Sequence, residues 1–110
     1  MSSGTSTIET GATLVTLINV FTVERENQER LIEVLVEATE TTMKGIDGFI
    51  SANIHKSLDG ERVTNYAQWR SRAAFEAMLK NPEAQKHMAP ILKIAKSEPH
   101  LYEVVDVHHS

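Results

Sequence analysis

The sequence contains no cysteine. Disulfides, thiolate nucleophiles and thiolate-held metals are therefore excluded. It also lacks a basic excess: 11 Lys and Arg stand against 15 Asp and Glu, a formal net charge of −4. That balance disfavours nucleic acid, which calls for a basic stripe. No apolar run approaches the ~20 residues of a membrane span, so no membrane association is expected. The N-terminal MSSGTSTIETGA has no basic n-region and no apolar h-region. Residues 1–12 read as a mobile tail, not a secretory signal, and a cytoplasmic location follows as the default. Neither G-x-G-x-x-G nor G-x-x-x-x-G-K-[ST] occurs, so nucleotide cofactors lack a recognisable site. The five histidines show no H-x-x-x-H or H-E-x-x-H spacing, and no metal site is expected.

What remains is a chain of 110 residues, enough for one domain over residues 13–110 with a modest core. TLVTLINVFTV, residues 13–23, is β-branched and apolar on both faces, as in a strand covered on both sides. Val15, Leu17, Asn19 and Phe21 share one face; Leu14, Ile18 and Val20 lie on the other. Residues 26–48 carry Leu31, Ile32, Leu35, Ala38, Thr39, Thr42 and Met43 at helical spacing, with Asn27 as a candidate N-cap and Gly45 or Gly48 as the stop. Residues 49–57 and 62–70 read as a hairpin about Asp59-Gly60, a pair suited to a type I′ turn. Ser71 caps a helix bearing Phe75, Met78 and Leu79, and Asn81-Pro82 restarts it with Pro at the first helical position. Pro90 is expected to kink the second part. Residues 100–109 read as a fourth strand. The order β-α-β-β-α-β is the ferredoxin-like α+β plan: one antiparallel four-stranded sheet with two helices on one face. Two helices leave the other face open, and the first and last strands are apolar there. A homodimer packed sheet against sheet is the expected remedy.

The row Val63, Asn65, Ala67, Trp69 faces the core yet carries an amide and the chain's single indole. Asn19 lies on the neighbouring strand of such a sheet. Either these polar groups satisfy one another inside a packed core, or they line a pocket between sheet and helices. In the second case Phe21, Phe75, Met78, Leu79, Met88 and Leu92 supply the walls. His55 and His87 are the titratable candidates beside them, with side chains that ionise near neutral pH.

The segments TLINVFTVERENQERLIEVL, GFISANIHKSLDGERVTNYAQWRSRAAFEAMLKNPEAQKHMAPI and LYEVVDV resemble the antibiotic biosynthesis monooxygenase family. The resemblance runs from about residue 13 to residue 108. It rests on Asn19 in the first strand, N-x-x-x-W at Asn65 and Trp69, and Phe75 early in the second helix. It implies a dimeric α+β barrel and, in one branch, oxidation of a polycyclic phenolic anthrone to a quinone by O₂. That branch uses no flavin, haem or metal, and the residues matching Asn19, Asn65 and Trp69 carry its chemistry. A second branch degrades haem; there His87 would be the iron ligand, although Met78 stands near where that branch carries a tryptophan. A third group has no known substrate. The resemblance leaves the proton acceptor open among water, His55 and His87.

Overall fold

The computed structural model describes residues 4–11 and 13–110. Its elements are β1 (Val15–Val23), α1 (Gln28–Thr41), β2 (Phe49–Lys56), β3 (Arg62–Trp69), α2 (Arg72–Leu79), α3 (Pro82–Ile94) and β4 (Ala95–Tyr102). The four strands form one antiparallel sheet in the order β2-β3-β1-β4. The helices cover a single face, as the ferredoxin-like plan requires. Among the described residues no helix is long and apolar enough to cross a membrane.

Local chemistry accounts for most element boundaries. Ser71 accepts a hydrogen bond from the Ala74 amide at 3.1 Å and opens α2. Asn81 does the same for the amides of Glu83 and Ala84, and Pro82 follows it at the first helical position. The first helix is shorter than its sequence pattern, ending at Thr41 and followed by a 3₁₀ turn over Met43–Gly45. Thr39 and Thr41 turn their hydroxyls onto the carbonyls of Leu35 and Glu37, a competition that weakens the last helical turn. Asn27 occupies the N-cap position but makes no capping bond, because a 3₁₀ turn, Arg25–Asn27, already leads into the helix.

Two sequence expectations are corrected. The hairpin is not type I′: of Asp59 and Gly60 only Gly60 has positive φ, at +83°, and the loop spans residues 57–61. The last strand lies at Ala95–Tyr102, not at 100–109. Its sequence, AKSEPHLY, hides it: Pro99 cannot donate to a ladder and is tolerated only because β4 is an edge strand. Val105 and Val107 therefore lie beyond the sheet. The second helical region restarts at Asn81-Pro82, as the sequence predicts, and α3 runs on past Pro90 to Ile94. Of the N-terminal segment, residues 1–3 and 12 lie outside the described residues. The part that is described lies against the sheet's outer face. Ser6 donates to Asn53 Oδ1 and Gln68 donates to the Thr7 carbonyl, each at 2.7 Å.

The core has two halves. Leu17, Ala67, Trp69, Ala74, Phe75, Met78 and Ala84 form one; Phe21, Val23, Leu31, Leu35, Val63 and Ile91 form the other. Between them on β1 stands Asn19, and between them on β3 stands Asn65. The two are direct partners in the β1–β3 register. A polar row thus crosses the sheet where a continuous core would place aliphatic side chains.

Two features fix the loop ahead of β2. Arg70 grips Asp47 through two hydrogen bonds of 2.9 Å. Gly48 has φ +89°, and a Cβ there would collide with that of Ala74. Gly48→Ala is expected to destabilise by at least ~2 kcal/mol in urea unfolding, from left-handed strain plus the collision; an unchanged midpoint contradicts this. The hydrogen bond and charge of Arg70 hold the Asp47 carboxyl below its ordinary value of 3.8. A depressed folded-state pKa gives a stabilisation fully present above that ordinary value and lost as pH falls through the folded one. Asp47→Asn should therefore melt lower than wild type at pH ~7, with the gap closing in acid; a gap that stays constant down to pH ~2 contradicts the ion pair's role.

Candidate active site

A cavity of about 100 Å³ lies between the sheet and the helices, at the seam of the two core halves. The sheet contributes Leu17, Asn19 and Phe21 from β1, Phe49 and Ala52 from β2, and Asn65, Ala67 and Trp69 from β3. Ser97 and Pro99 of β4 close one side. The helical layer supplies Leu35, Ala38, Thr39 and Met43 around α1, with Met78, Leu79, His87, Met88 and Ile91 from α2 and α3.

The polar groups do not satisfy one another. Trp69 is 2% exposed. Its Nε1 and the Oδ1 of Asn65 are sealed from solvent, and neither has a hydrogen-bond partner among the described residues. An indole N–H and an amide oxygen left so each cost roughly 1–3 kcal/mol. Asn19 differs from its neighbour. Its Oδ1 accepts from Ser97 Oγ at 3.1 Å and from the Glu98 amide at 3.2 Å. With the oxygen held by β4, the amide has only its N–H groups left to offer. The cavity thus has one committed amide, one uncommitted amide and one uncommitted indole. A packed core in which these groups merely satisfy one another does not exist here.

Trp69 is fixed by its neighbours. Phe49 meets it edge-on at 5.6 Å between ring centroids, and Phe75 at 6.3 Å. His87 stands at the helical side, where its Nε2 lies 2.9 Å from Thr42 Oγ1 and 3.4 Å from Thr41 Oγ1, linking α3 to the end of α1.

Phe21, Met78, Leu79, His87 and Met88 sit at the cavity wall with Asn19, Asn65 and Trp69. Three residues assigned to the site from sequence do not. Phe75 packs behind Trp69 in the core. Leu92 points outward, 56% exposed, toward an open, charged depression at the far end of the sheet. His55 lies on the sheet's opposite face, opposite Thr64, with Nδ1 3.0 Å from the Asn53 carbonyl. The cause is a bulge between Phe49 and Ser51. One extra residue, Ile50, reverses the alternation, so Phe49 faces inward with Trp69 while Ser51, Asn53 and His55 face out. Sequence reasoning also missed Phe49, although it put that residue on the same row as His55. It also missed Ser97 and Pro99, which precede the strand as it was placed. Thr39 and Met43 were on the legible apolar stripe of α1 but were not assigned to the site. Among the described residues no cluster of three or more His, Asp or Glu could hold a metal.

A small, apolar, partly unsatisfied cavity under the helices of a ferredoxin-like domain has the chemistry to hold a guest that carries its own hydrogen-bonding groups. Comparison with known proteins narrows the class. Residues 14–90 match the family described as antibiotic biosynthesis monooxygenase. The tetracenomycin-F1 monooxygenase of Streptomyces glaucescens is 43% identical over 99 residues, covering 90% of this chain and 88% of that protein. Two solved structures share the fold. A monooxygenase of Streptomyces coelicolor in complex with nanaomycin D superposes with TM-score 0.81 at 21% identity, covering 90% of this chain and 94% of the other. SnoaB, a cofactor-independent oxygenase from Streptomyces nogalater, gives 0.75 at 23% identity, covering 87% and 97%. The chain belongs to the antibiotic biosynthesis monooxygenase family, and it is a monooxygenase.

If Asn65 is held for a guest and not for the fold, its amide is a burden on the empty protein. Asn65→Leu, near in size, should leave stability unchanged or raise it by ~1 kcal/mol in urea unfolding. A loss of more than about 1 kcal/mol would show that the amide is satisfied by the protein itself.

Proposed function

We propose that the protein oxidises a polycyclic phenolic polyketide of anthrone type to a quinone with O₂, without an organic or metal cofactor. The observation that carries this reading is the pair of uncommitted polar atoms, Asn65 Oδ1 and Trp69 Nε1, in one apolar cavity. The names of the tetracenomycin-F1 monooxygenase and of the cofactor-independent oxygenase SnoaB support it.

The chemistry asks little of the protein. A methylene flanked by aromatic rings and conjugated to a carbonyl is acidic. Loss of one proton gives an anion spread over the rings and their oxygens. That anion passes one electron to O₂, and the resulting radical and superoxide combine into a C–O–O⁻ bond. Protonation gives the hydroperoxide. Loss of the remaining C–H proton with cleavage of the O–O bond leaves a carbonyl and water. One oxygen atom enters the product, the other leaves as water, and the substrate supplies every electron. The protein's part is to stabilise the oxyanion and exclude bulk water. Neutral donors serve this well. They are the Trp69 N–H, the free N–H groups of Asn19, and the Asn65 amide, which offers donor or acceptor according to its rotation.

His87 is the one titratable side chain among the described lining residues, and we assign it the departing proton. In the tautomer whose Nε2–H donates to Thr42 Oγ1, Nδ1 keeps its lone pair and is the accepting atom. The haem reading would draw on the same Nδ1 lone pair, and the relatives named above are not described as acting on haem.

The cavity of about 100 Å³ is below the ~300–1,000 Å³ usual for small-molecule sites, so binding must open it. Met43, Met78 and Met88 are the adaptable part of its roof. A homodimer through the outer sheet face belongs to the same proposal. Ile18, Val20 and Tyr66 lie half-buried there, and Thr16 Oγ1 is buried without a partner among the described residues.

Dithranol, a dihydroxylated anthrone, tests the reaction. Protein freed of flavin and metal by dialysis against chelator should consume O₂ and form the quinone. Trp69→Phe and Asn65→Ala should each lower kcat by ~10²-fold. Wild-type rates in both variants, or a strict need for added metal or flavin, would overturn the proposal.

A further inference from the structure

We infer that Ala52 and Ala67 set the specificity of this site, by keeping the cavity floor flat between its two polar ends. The inference rests on the function proposed above. In the sheet register Ala52 pairs with Ala67, and Ala67 pairs with Leu17, so these three form one row across β2, β3 and β1. On β3 the row lies midway between Asn65 and Trp69. Those two residues are four apart on one strand, roughly 13 Å along it at ~3.3 Å per residue. At one end stand the Asn19 and Asn65 amides, at the other the indole, and all of them line the same cavity. Inner positions of a strand ordinarily favour branched or aromatic side chains, which stand up from the sheet and pack against the helices. Alanine at both positions keeps the floor low where the cavity lies, and both residues line it.

The second observation is the unpartnered Trp69 Nε1, on a side chain only 2% exposed. A single ring lying on the alanines reaches one polar end and leaves the other unsatisfied. A linearly fused, planar ring system lies face-down on Ala67 and reaches both. The roof adapts, since its thioether side chains have several rotatable bonds, whereas the floor is backbone-bonded sheet and cannot. Selection by shape therefore falls to the floor, and adding carbons there should exclude the planar guest.

Trp69 is the only tryptophan in the chain, so its emission reports occupancy directly. The experiment is a fluorescence titration with two probes, chrysazin (a planar tricyclic dihydroxyquinone) and resorcinol (one ring). Wild type, Ala67→Leu and Ala52→Val are compared, with thermal unfolding to show that each variant is folded. Should Ala67→Leu not fold, Ala67→Val takes its place. Wild type is expected to bind chrysazin at least about tenfold more tightly than resorcinol. The substitutions are expected to weaken chrysazin by about tenfold or more while changing resorcinol little. A folded Ala67 variant that binds chrysazin like wild type overturns the inference and leaves the proposed function standing. So does equal wild-type affinity for the two probes. No response of wild type to either probe overturns both.

Discussion

An indole N–H and an amide oxygen, both sealed under the helical layer and both without a partner among the described residues, are the constraint on which the site depends. Burying a polar group unbonded costs about as much as a sizeable part of a small domain's net stability. The neighbouring Asn19 shows that this sheet is able to satisfy an amide: β4 brings it a hydroxyl and a backbone N–H. Asn65, directly across the β1–β3 ladder, receives neither. The difference follows from topology. Asn19 is next to the edge strand, whose Ser97 and Glu98 reach it. Asn65 lies between β1 and β2, whose facing neighbours are Asn19 and the aliphatic Ile54.

The same polar row divides the core. Leu17 and Ala67 belong to the half built on Trp69 and α2; Phe21 and Val63 belong to the half built on α1 and Ile91 of α3. Helices that must cover a divided core cannot close tightly over the seam, and the cavity lies there. Its floor is rigid, a central pair of hydrogen-bonded strands. Its roof is three methionines and a histidine bridged to a threonine. A fixed polar floor beneath an adaptable cover suits a reaction in which the substrate supplies the electrons and the protein supplies position and dry polar contacts.

Much of this was legible from the residues. The strong periodicities gave the element order, and the ferredoxin-like plan then put β1 beside β3 and Asn19 beside Asn65. Ser71 and Asn81-Pro82 announced two helix starts. What was not legible depended on local irregularity. The bulge at Ile50 carries no Gly or Pro to mark it, and it put His55 on the far face from Phe49. β4 lacks alternation and contains Pro99, so pattern alone placed the strand too late and omitted Ser97, the residue that holds Asn19. Thr39, Thr41 and Thr42 ended α1 before the glycines that the pattern favoured. Whether the polar groups faced one another or a cavity could not be decided from spacing, because it turns on which side chains β4 brings.

The most direct test of the central claim uses the single tryptophan. Its indole N–H gives one resonance in a ¹⁵N–¹H spectrum, free of overlap from any other indole. If that proton is held for a guest's oxygen, adding a planar phenolic tricycle should move the resonance downfield and slow its exchange with water, as a new hydrogen bond forms. A resonance that keeps its position at saturating ligand, or that already carries the shift of a bonded indole in the free protein, would contradict the account.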